Sequence, residues 1–386
     1  MPRFAAQGFG DEEVALRRAW LAEVTGCALP GIAAAAIPGP AMRGNVENPI
    51  GCVPVPLGVA GPLLLRGEHA QGTFYVPLAT TEGALVRSYE RGMVAVTRAG
   101  GAFARVMQDE NRATPAFSFD SVEQAVAFAR GLPALVDELR RVAEATTRHG
   151  KLLRIEPRVV GLDVLVGFVF STGDASGMNL VARATAAACA LLVERFAPRG
   201  WTMLSGAENE KQAGPGVYFG GKGKSVVAGV RLPAALVRQV LAVEPAAMAA
   251  YWRRCVVAQA EVGAVGINGQ FANGLAALFI ACGQDVANVA NSAVGVLTLE
   301  VADDGGLGAS VHLPSLIVAT VGGGTTLGAA PECLGILGCV GDGKAAKLAE
   351  IVAATLLAGE ISLAASLVAG DHVAAHERYG KRPAAG

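Results

Sequence analysis

Two apolar, β-branched runs, Leu152–Pro157 and Val159–Phe170, each predict a strand. Phe117-Ser118-Phe119 predicts another, and Ser121-Val122-Glu123-Gln124 after it has the form of a capping box that starts a helix. Pro133 opens a further helix (Leu135, Val136, Leu139, Val142), and one more is expected from Ala175 to about Phe196. This strand-helix-strand-strand-helix order predicts a compact α+β unit inserted at residues 116–203. Upstream, residues 11–25 show helical spacing (Val14, Leu16, Leu21, Val24). Glu47 to Pro77 reads as short strands and turns, with Pro54, Pro56 and Pro62 demoting part of it to edge strand or loop. A helix is expected to follow Glu82 through Arg91 to about Arg98, stopped by Gly100 and Gly101. Downstream, residues 203–224 read as a polar, glycine-rich connection. From Val226 on helices are expected to dominate, with strands near 296–301 and 309–320. The division is therefore an N-terminal helical segment (1–45), a large domain (46–115 and 204–386) and the inserted unit (116–203).

Composition narrows the class. Of 386 residues, 52% are hydrophobic and 17% charged, enough for a sizeable core in two domains or one large domain with an insertion. A formal charge of −1 offers no basic field and argues against nucleic acid as a partner. The most apolar stretches, near 262–283 and 351–370, are interrupted by Asn268, Gln270, Asn273 and Glu360. They read as buried helices and not as membrane spans. Acidic Asp11, Glu12 and Glu13 stand where a signal peptide needs an apolar core, so a cytoplasmic protein is expected. Seven scattered cysteines, odd in number and without a CxxC pair, point to reduced thiols and to neither a disulfide framework nor a metal site.

Candidate chemistry lies in scattered acids, bases and glycine clusters. Glu82, in Pro77-Leu78-Ala79-Thr80-Thr81-Glu82-Gly83, is a carboxyl in small, apolar surroundings, where desolvation would keep a proton on it for general-acid work. The plain alternative is a loop carboxylate beside a capping threonine. Gly173-Asp174-Ala175-Ser176-Gly177-Met178-Asn179 closes a strand and opens a helix, a place for an anion or simply an Asp N-cap. Thr147-Arg148 suits a 2′-phosphate, or is an ordinary helix-end cation. Gly322-Gly323-Gly324 admits a ligand against bare backbone, or is a turn. Lys211 could stabilise an oxyanion, and Asp285, at the end of an apolar segment, needs a cationic partner. His376 lies in the C-terminal tail.

Together these segments resemble the 3-hydroxy-3-methylglutaryl-CoA (HMG-CoA) reductase family in its soluble, NADPH-dependent catalytic portion, without the family's membrane anchor. The matching pieces are ENPIG at 47–51, PLGVAGPL at 56–63, VPLATTEG at 76–83 and GDASGMN at 173–179. They continue, in the family's order, with GKGKSVV at 221–227, ACGQD at 281–285, TVGGGT at 320–325 and AGEISL at 358–363. The resemblance implies an HMG-CoA reductase-like α+β fold with a ferredoxin-like cofactor domain at 116–203. It implies a four-electron reduction of an acyl-CoA thioester to a primary alcohol, HMG-CoA to mevalonate, with NADPH (or NADH) as cofactor. It also implies a homodimer or dimer of dimers with the active site at the subunit interface. Lys211 would stabilise the oxyanion, Glu82 donate a proton, Asp285 hold both, and His376 protonate the CoA thiolate. Thr147 and Arg148 would take the 2′-phosphate. Asp174, Ser176, Gly177, Met178 and Asn179 would meet the nicotinamide-diphosphate side, beside Gly322, Gly323 and Gly324.

Substrate contacts implied by the resemblance are Arg91, Ser205, Gln212 and Asn273. The family's usual cations for the acyl carboxylate match Ser118, Gln212 and Ala235 here; its usual Asp is Glu210, and its usual His is Gln270. An altered acyl pocket is thus expected, with a thioester lacking the terminal carboxylate as the alternative substrate. A catalytically silent acyl-CoA-binding relative is the alternative from another class.

Overall fold

The computed structural model describes residues 10–25 and 37–370. Its helices are α1 (Asp11–Thr25), α2 (Leu85–Arg98), α3 (Val122–Gly131), α4 (Val136–Glu144), α5 (Met178–Phe196) and α6 (Ala234–Leu236), followed by α7 (Pro245–Glu261), α8 (Phe271–Ala281), α9 (Val289–Ser292), α10 (Ala330–Ile336) and α11 (Ala345–Ala369). Its strands are β1 (Leu57–Gly67), β2 (Gln71–Ala79), β3 (Ala102–Ala113), β4 (Pro115–Ser118) and β5 (Lys151–Val160), then β6 (Asp163–Ser171), β7 (Gly200–Met203), β8 (Gly223–Leu232), β9 (Val296–Val301) and β10 (Leu307–Leu316).

One part of the sheet runs β2-β1-β3-β8-β10-β9, and the other runs β7-β4-β6-β5. Strand β3 serves both: Phe103–Val106 pair with β8, and Asn111–Ala113 pair with β6. The second part is antiparallel throughout, in the split order of a ferredoxin-like sheet. Each part has its own apolar core. The larger gathers α2, α8 and α11 with β1, β2, β8 and β10; the smaller gathers α3, α4 and α5 with β4 to β6.

Helix α11 is apolar over most of its circumference and is buried over most of its length. It is long and apolar enough to cross a membrane by length and composition, and 83% of its most apolar window lies inside the fold. Helix α2 crosses it at Gly92, where the carbonyl of Ala358 leaves no room for a Cβ. The crossing is therefore closer than any side chain allows. Glu350 of α11, fully buried, accepts the backbone N–H groups of Glu68, His69 and Ala70 at 3.1, 2.9 and 2.7 Å. It pins the β1–β2 hairpin to the helix.

Several expectations meet their physical reasons here. Ser121 caps α3 through the Gln124 N–H at 3.3 Å, while the Gln124 side chain turns back to the N–H of Asp120 rather than of Ser121. Pro62 does not demote β1 to an edge; the strand lies between β2 and β3 and absorbs the proline at a register shift between Ala60 and Leu63. Helix α5 begins at Met178 and not at Ala175, because Gly173 and Gly177 hold left-handed backbone. The segment read as one helix at 262–283 is a loop up to Gln270 followed by α8. The strands β3, β7 and β8 were not expected. Strand β8 runs through the end of the supposed polar connection.

Candidate functional site

Lys211 carries left-handed backbone (φ 57°), an unfavourable conformation for a residue with a Cβ. Its N–H is held by the Asn291 side-chain oxygen at 3.1 Å, and Asn291 itself is fully buried and donates to the Ser315 carbonyl at 2.8 Å. The turn delivers the Lys211 ammonium to Asp285, Nζ to Oδ2 at 2.7 Å. Asp285 follows α8, and its other oxygen accepts the Ala287 N–H at 3.1 Å. The cation expected for Asp285 is thus Lys211. The pair is 38% and 45% exposed, open enough to meet a ligand.

The glycine run lies against the segment that leads into Asp285, and the 172–179 loop is tied to the residues just before that run. Gly283 and Gly324 lie back to back; a Cβ on Gly324 would stand 2.6 Å from the Gly283 carbonyl oxygen. Gln284 bridges the same two segments, accepting the Ala319 N–H at 2.7 Å and donating to the Ala319 carbonyl at 2.9 Å. Thr320 N–H donates to the Asp174 carbonyl at 3.0 Å. Gly322 and Gly323 (φ 78° and 57°) have open space where a Cβ would go, leaving backbone accessible. The start of α5 carries no side-chain cap, so its N–H groups are available beside Ser176, Met178 and Asn179.

Asp174 has a use that its motif did not reveal. Its carboxylate accepts the N–H groups of Gly343 and Ala345 at 2.6 and 2.9 Å, fastening the loop to the start of α11. Burial would raise its pKa. The N–H groups of Ala345, Gly343 and Lys344, with the Lys224 charge, outweigh burial and hold the carboxyl below its usual range. Two buried lysines line the neighbouring wall, Lys222 paired with Glu210 and Lys224 with Asp109.

Arg148 and Thr147 stand at a separate cleft of about 470 Å³, lined also by Ala145, Thr146, His149, Leu180 and Arg183. The Thr147 hydroxyl oxygen accepts the N–H groups of His149 and Gly150 at 3.2 and 3.1 Å, which leaves its hydrogen to donate outward. Two guanidiniums, a hydroxyl and an imidazole on one cleft suit a phosphate.

Glu82 departs from its expectation. It is exposed in the single chain, on a turn where Thr80 accepts the Glu82 N–H at 3.0 Å; the partial desolvation expected for it is absent because no other segment of the described chain covers that turn. Arg91 is bound to Ser362, Nε to Oγ at 3.0 Å. Ser205 and Gln212 are exposed, with Gln212 against Gly206, and Asn273 is half-buried on α8. His376 lies outside the described residues. Ser118, Gln212 and Ala235 sit on three different elements, β4, the 203–222 connection and α6. Ser118 donates to Asp163 within the smaller sheet.

Asn291, Gln284, His149 and Arg183 were missed by sequence reasoning. Gln284 stood inside a recognised motif, but its partner lies 35 residues away. Asn291 and Arg183 have no local pattern that marks them.

The family model described as Hydroxymethylglutaryl-coenzyme A reductase matches residues 13–381. A 3-hydroxy-3-methylglutaryl-coenzyme A reductase of Methanothermobacter thermautotrophicus is 41% identical over 96% of this chain and 94% of its own. One from Aeropyrum pernix is 40% identical over 97% of this chain and 91% of its own. A structure of the class II reductase from Streptococcus pneumoniae bound to NADPH in open conformations matches with a TM-score of 0.70. It covers 95% of this chain and 100% of that one at 19% identity, a likeness of fold. These near full-length relatives do not favour either alternative, a carboxylate-free acyl substrate or a silent binding protein.

Proposed function

The chain belongs to the hydroxymethylglutaryl-coenzyme A reductase family, and from that premise we propose that it reduces HMG-CoA to mevalonate with NADPH. The observation that carries this reading is the Lys211–Asp285 pair at 2.7 Å, which directly follows the Gly283 backbone that packs on Gly324.

The residues present fit a phosphate-bearing dinucleotide. The unit at 116–203 would hold it, with Thr147, Arg148, His149 and Arg183 at the 2′-phosphate and the start of α5 beside Gly322–Gly324 at the diphosphate and nicotinamide. When bound, NADPH supplies hydride, once for the thioester and once for the aldehyde. Lys211 donates to the oxygen on which negative charge develops. Asp285 fixes the position of the Lys211 ammonium. Glu82 gives the carbonyl oxygen its proton, and His376 gives one to the departing CoA thiolate.

Glu82 is exposed in one chain, and a second chain would cover it. A homodimer, alone or doubled, is therefore part of the proposal. Leu57, Val59 and Tyr75, 52–55% exposed on the paired strands β1 and β2, offer an apolar face for it. The interior of α11 in this fold is consistent with a chain that works in the cytoplasm.

The direct test supplies HMG-CoA and NADPH to the full chain and follows cofactor consumption, with the product identified by mass. Two NADPH oxidised per CoA released, with mevalonate formed, is the expected result; binding of both ligands without any reduction defeats the proposal. The cofactor assignment has its own test. Arg148→Ala is expected to raise KM for NADPH by about 10–150-fold, the loss of a charge-assisted contact of roughly 1.5–3 kcal/mol, and to leave KM for NADH near wild type. A wild type that prefers NADH would reduce Arg148 to a helix-end cation.

A further inference from the structure

Glu360 has no task in the reaction as described so far. It lies in the interior of α11, 2% exposed, and among the described residues it has no ion-pair partner. Its Oε2 accepts the Gly269 N–H at 2.8 Å and its Oε1 the Gln270 N–H at 2.6 Å. Gln270 is the N-cap of α8 and brings no side-chain cap of its own. The carboxylate therefore stands at the positive end of α8 and takes up N–H groups just before it.

A second grip acts on the same residue. The Tyr89 hydroxyl donates to the Gln270 carbonyl at 3.2 Å, and the Gln270 amide donates to the Gly359 carbonyl. Tyr89 is itself fully buried, in a slot whose walls, Gly274 and Gly359, have no room for a Cβ. From this clamp α8 runs for 11 residues, about 16 Å at helical rise. It ends at Ala281, and Asp285 with its bond to Lys211 comes four residues later.

We infer that Glu360 is a positioning residue for the reaction: by clamping the start of α8 it sets where Asp285 and Lys211 stand, and it ties that placement to pH. The inference rests on the catalytic reading of Lys211 and Asp285. Burial pushes the Glu360 carboxyl up to about 7, against the opposing pull of the Gln270 and Gly269 N–H groups. The titratable groups facing it are Tyr89 from α2 and Tyr251 and Cys255 from α7, with no cation among them. Ionised, both oxygens accept; protonated, one of them carries a hydrogen and the clamp slackens. Turnover therefore rises as pH passes about 7. Stability moves the other way. A carboxyl raised in the folded state from its ordinary 4.5 stabilises below that value, and the contribution is lost as pH climbs through about 7.

The test is Glu360→Gln in the full chain, read against pH. Its amide nitrogen has no lone pair for a backbone N–H, so the clamp keeps its shape and loses one acceptor. Expected are a kcat about 10–100-fold lower, an unchanged dissociation constant for NADPH, and loss of the wild-type step in kcat near neutrality. Glu360→Asp, which retains the charge, is expected to restore the step at a reduced rate. Independently of turnover, glutamine-selective isotopic labelling should show the Gln270 backbone N–H of the wild type shifting with a midpoint near 7. An unaltered step in Glu360→Gln overturns the inference, and so does a Gln270 N–H that does not titrate. Should Glu360→Gln fail to fold, the wild-type titration and Glu360→Asp decide. A wild type that shows the titration but never reduces HMG-CoA would remove the catalytic reading and leave the clamp in place.

Discussion

Lys211→Ala is expected to lower kcat by about 10²–10³-fold, the effect of removing one oxyanion donor. The ammonium is a single donor held by Asp285 at 2.7 Å, on a turn whose backbone is fixed by the buried Asn291. Asp285 is already 45% exposed beside Lys211 and keeps its bond to the Ala287 N–H after truncation, so the fold carries little penalty. The loss should therefore fall on chemistry, with the dissociation constant for NADPH near wild type. Lys211→Arg is not a rescue, because a planar fork cannot occupy the position of a compact ammonium against one carboxylate oxygen. Single-turnover measurement of NADPH oxidation with HMG-CoA gives the answer, and a variant turning over at a near wild-type rate would take Lys211 out of the site.

The largest effect on stability is expected from Glu350→Leu. Three backbone N–H groups at 2.7–3.1 Å lose their acceptor, that of Ala70 in a buried place and those of Glu68 and His69 in partly buried ones. Leaving such a buried donor without its acceptor costs about 1–3 kcal/mol. Gly67 is part of the same device, since a side chain there would enter the space of the carboxylate. Glu350→Gln retains one oxygen acceptor and should lose less. Denaturant midpoints of both variants against wild type provide the check. Equal midpoints would mean that the hairpin is held by its strand pairing alone.

What could be read from the sequence follows from where each signal resides. Strands β5 and β6 carry dense β-branched runs, and Ser121 caps α3 from within its own turn; both are local and were visible. Strand β3 was missed because Gln108-Asp109-Glu110-Asn111 reads as loop. Those polar residues are spent across the sheet, Asp109 on Lys224 and Glu110 on Arg154. Lys222 and Lys224 hid the start of β8 for the same reason: ion pairing at 8% and 4% side-chain exposure lets lysine stand where hydropathy forbids it. At the site, Asp285 announced its need for a cation by ending an apolar run. Glu82 misled, because small neighbours in sequence do not supply cover in space. The fastening of Asp174 to Gly343 and Ala345 spans about 170 residues and leaves no mark in either segment.

Strand β3 also dictates the order in which the chain can become solid during synthesis. Its last residues, with β4, α3 to α5, β6 and β7, have all their partners once residue 203 has been made, so the smaller core can condense while the rest is still being translated. Its first residues must wait for β8, and the groove on α2 at Gly92 must wait for Ala358 near the end of the chain. Until then β1, β2 and α2 have no long helix to close on. The newborn protein therefore carries a finished smaller unit between two unfinished halves of a core, and the interval between them is when chaperone cover matters most.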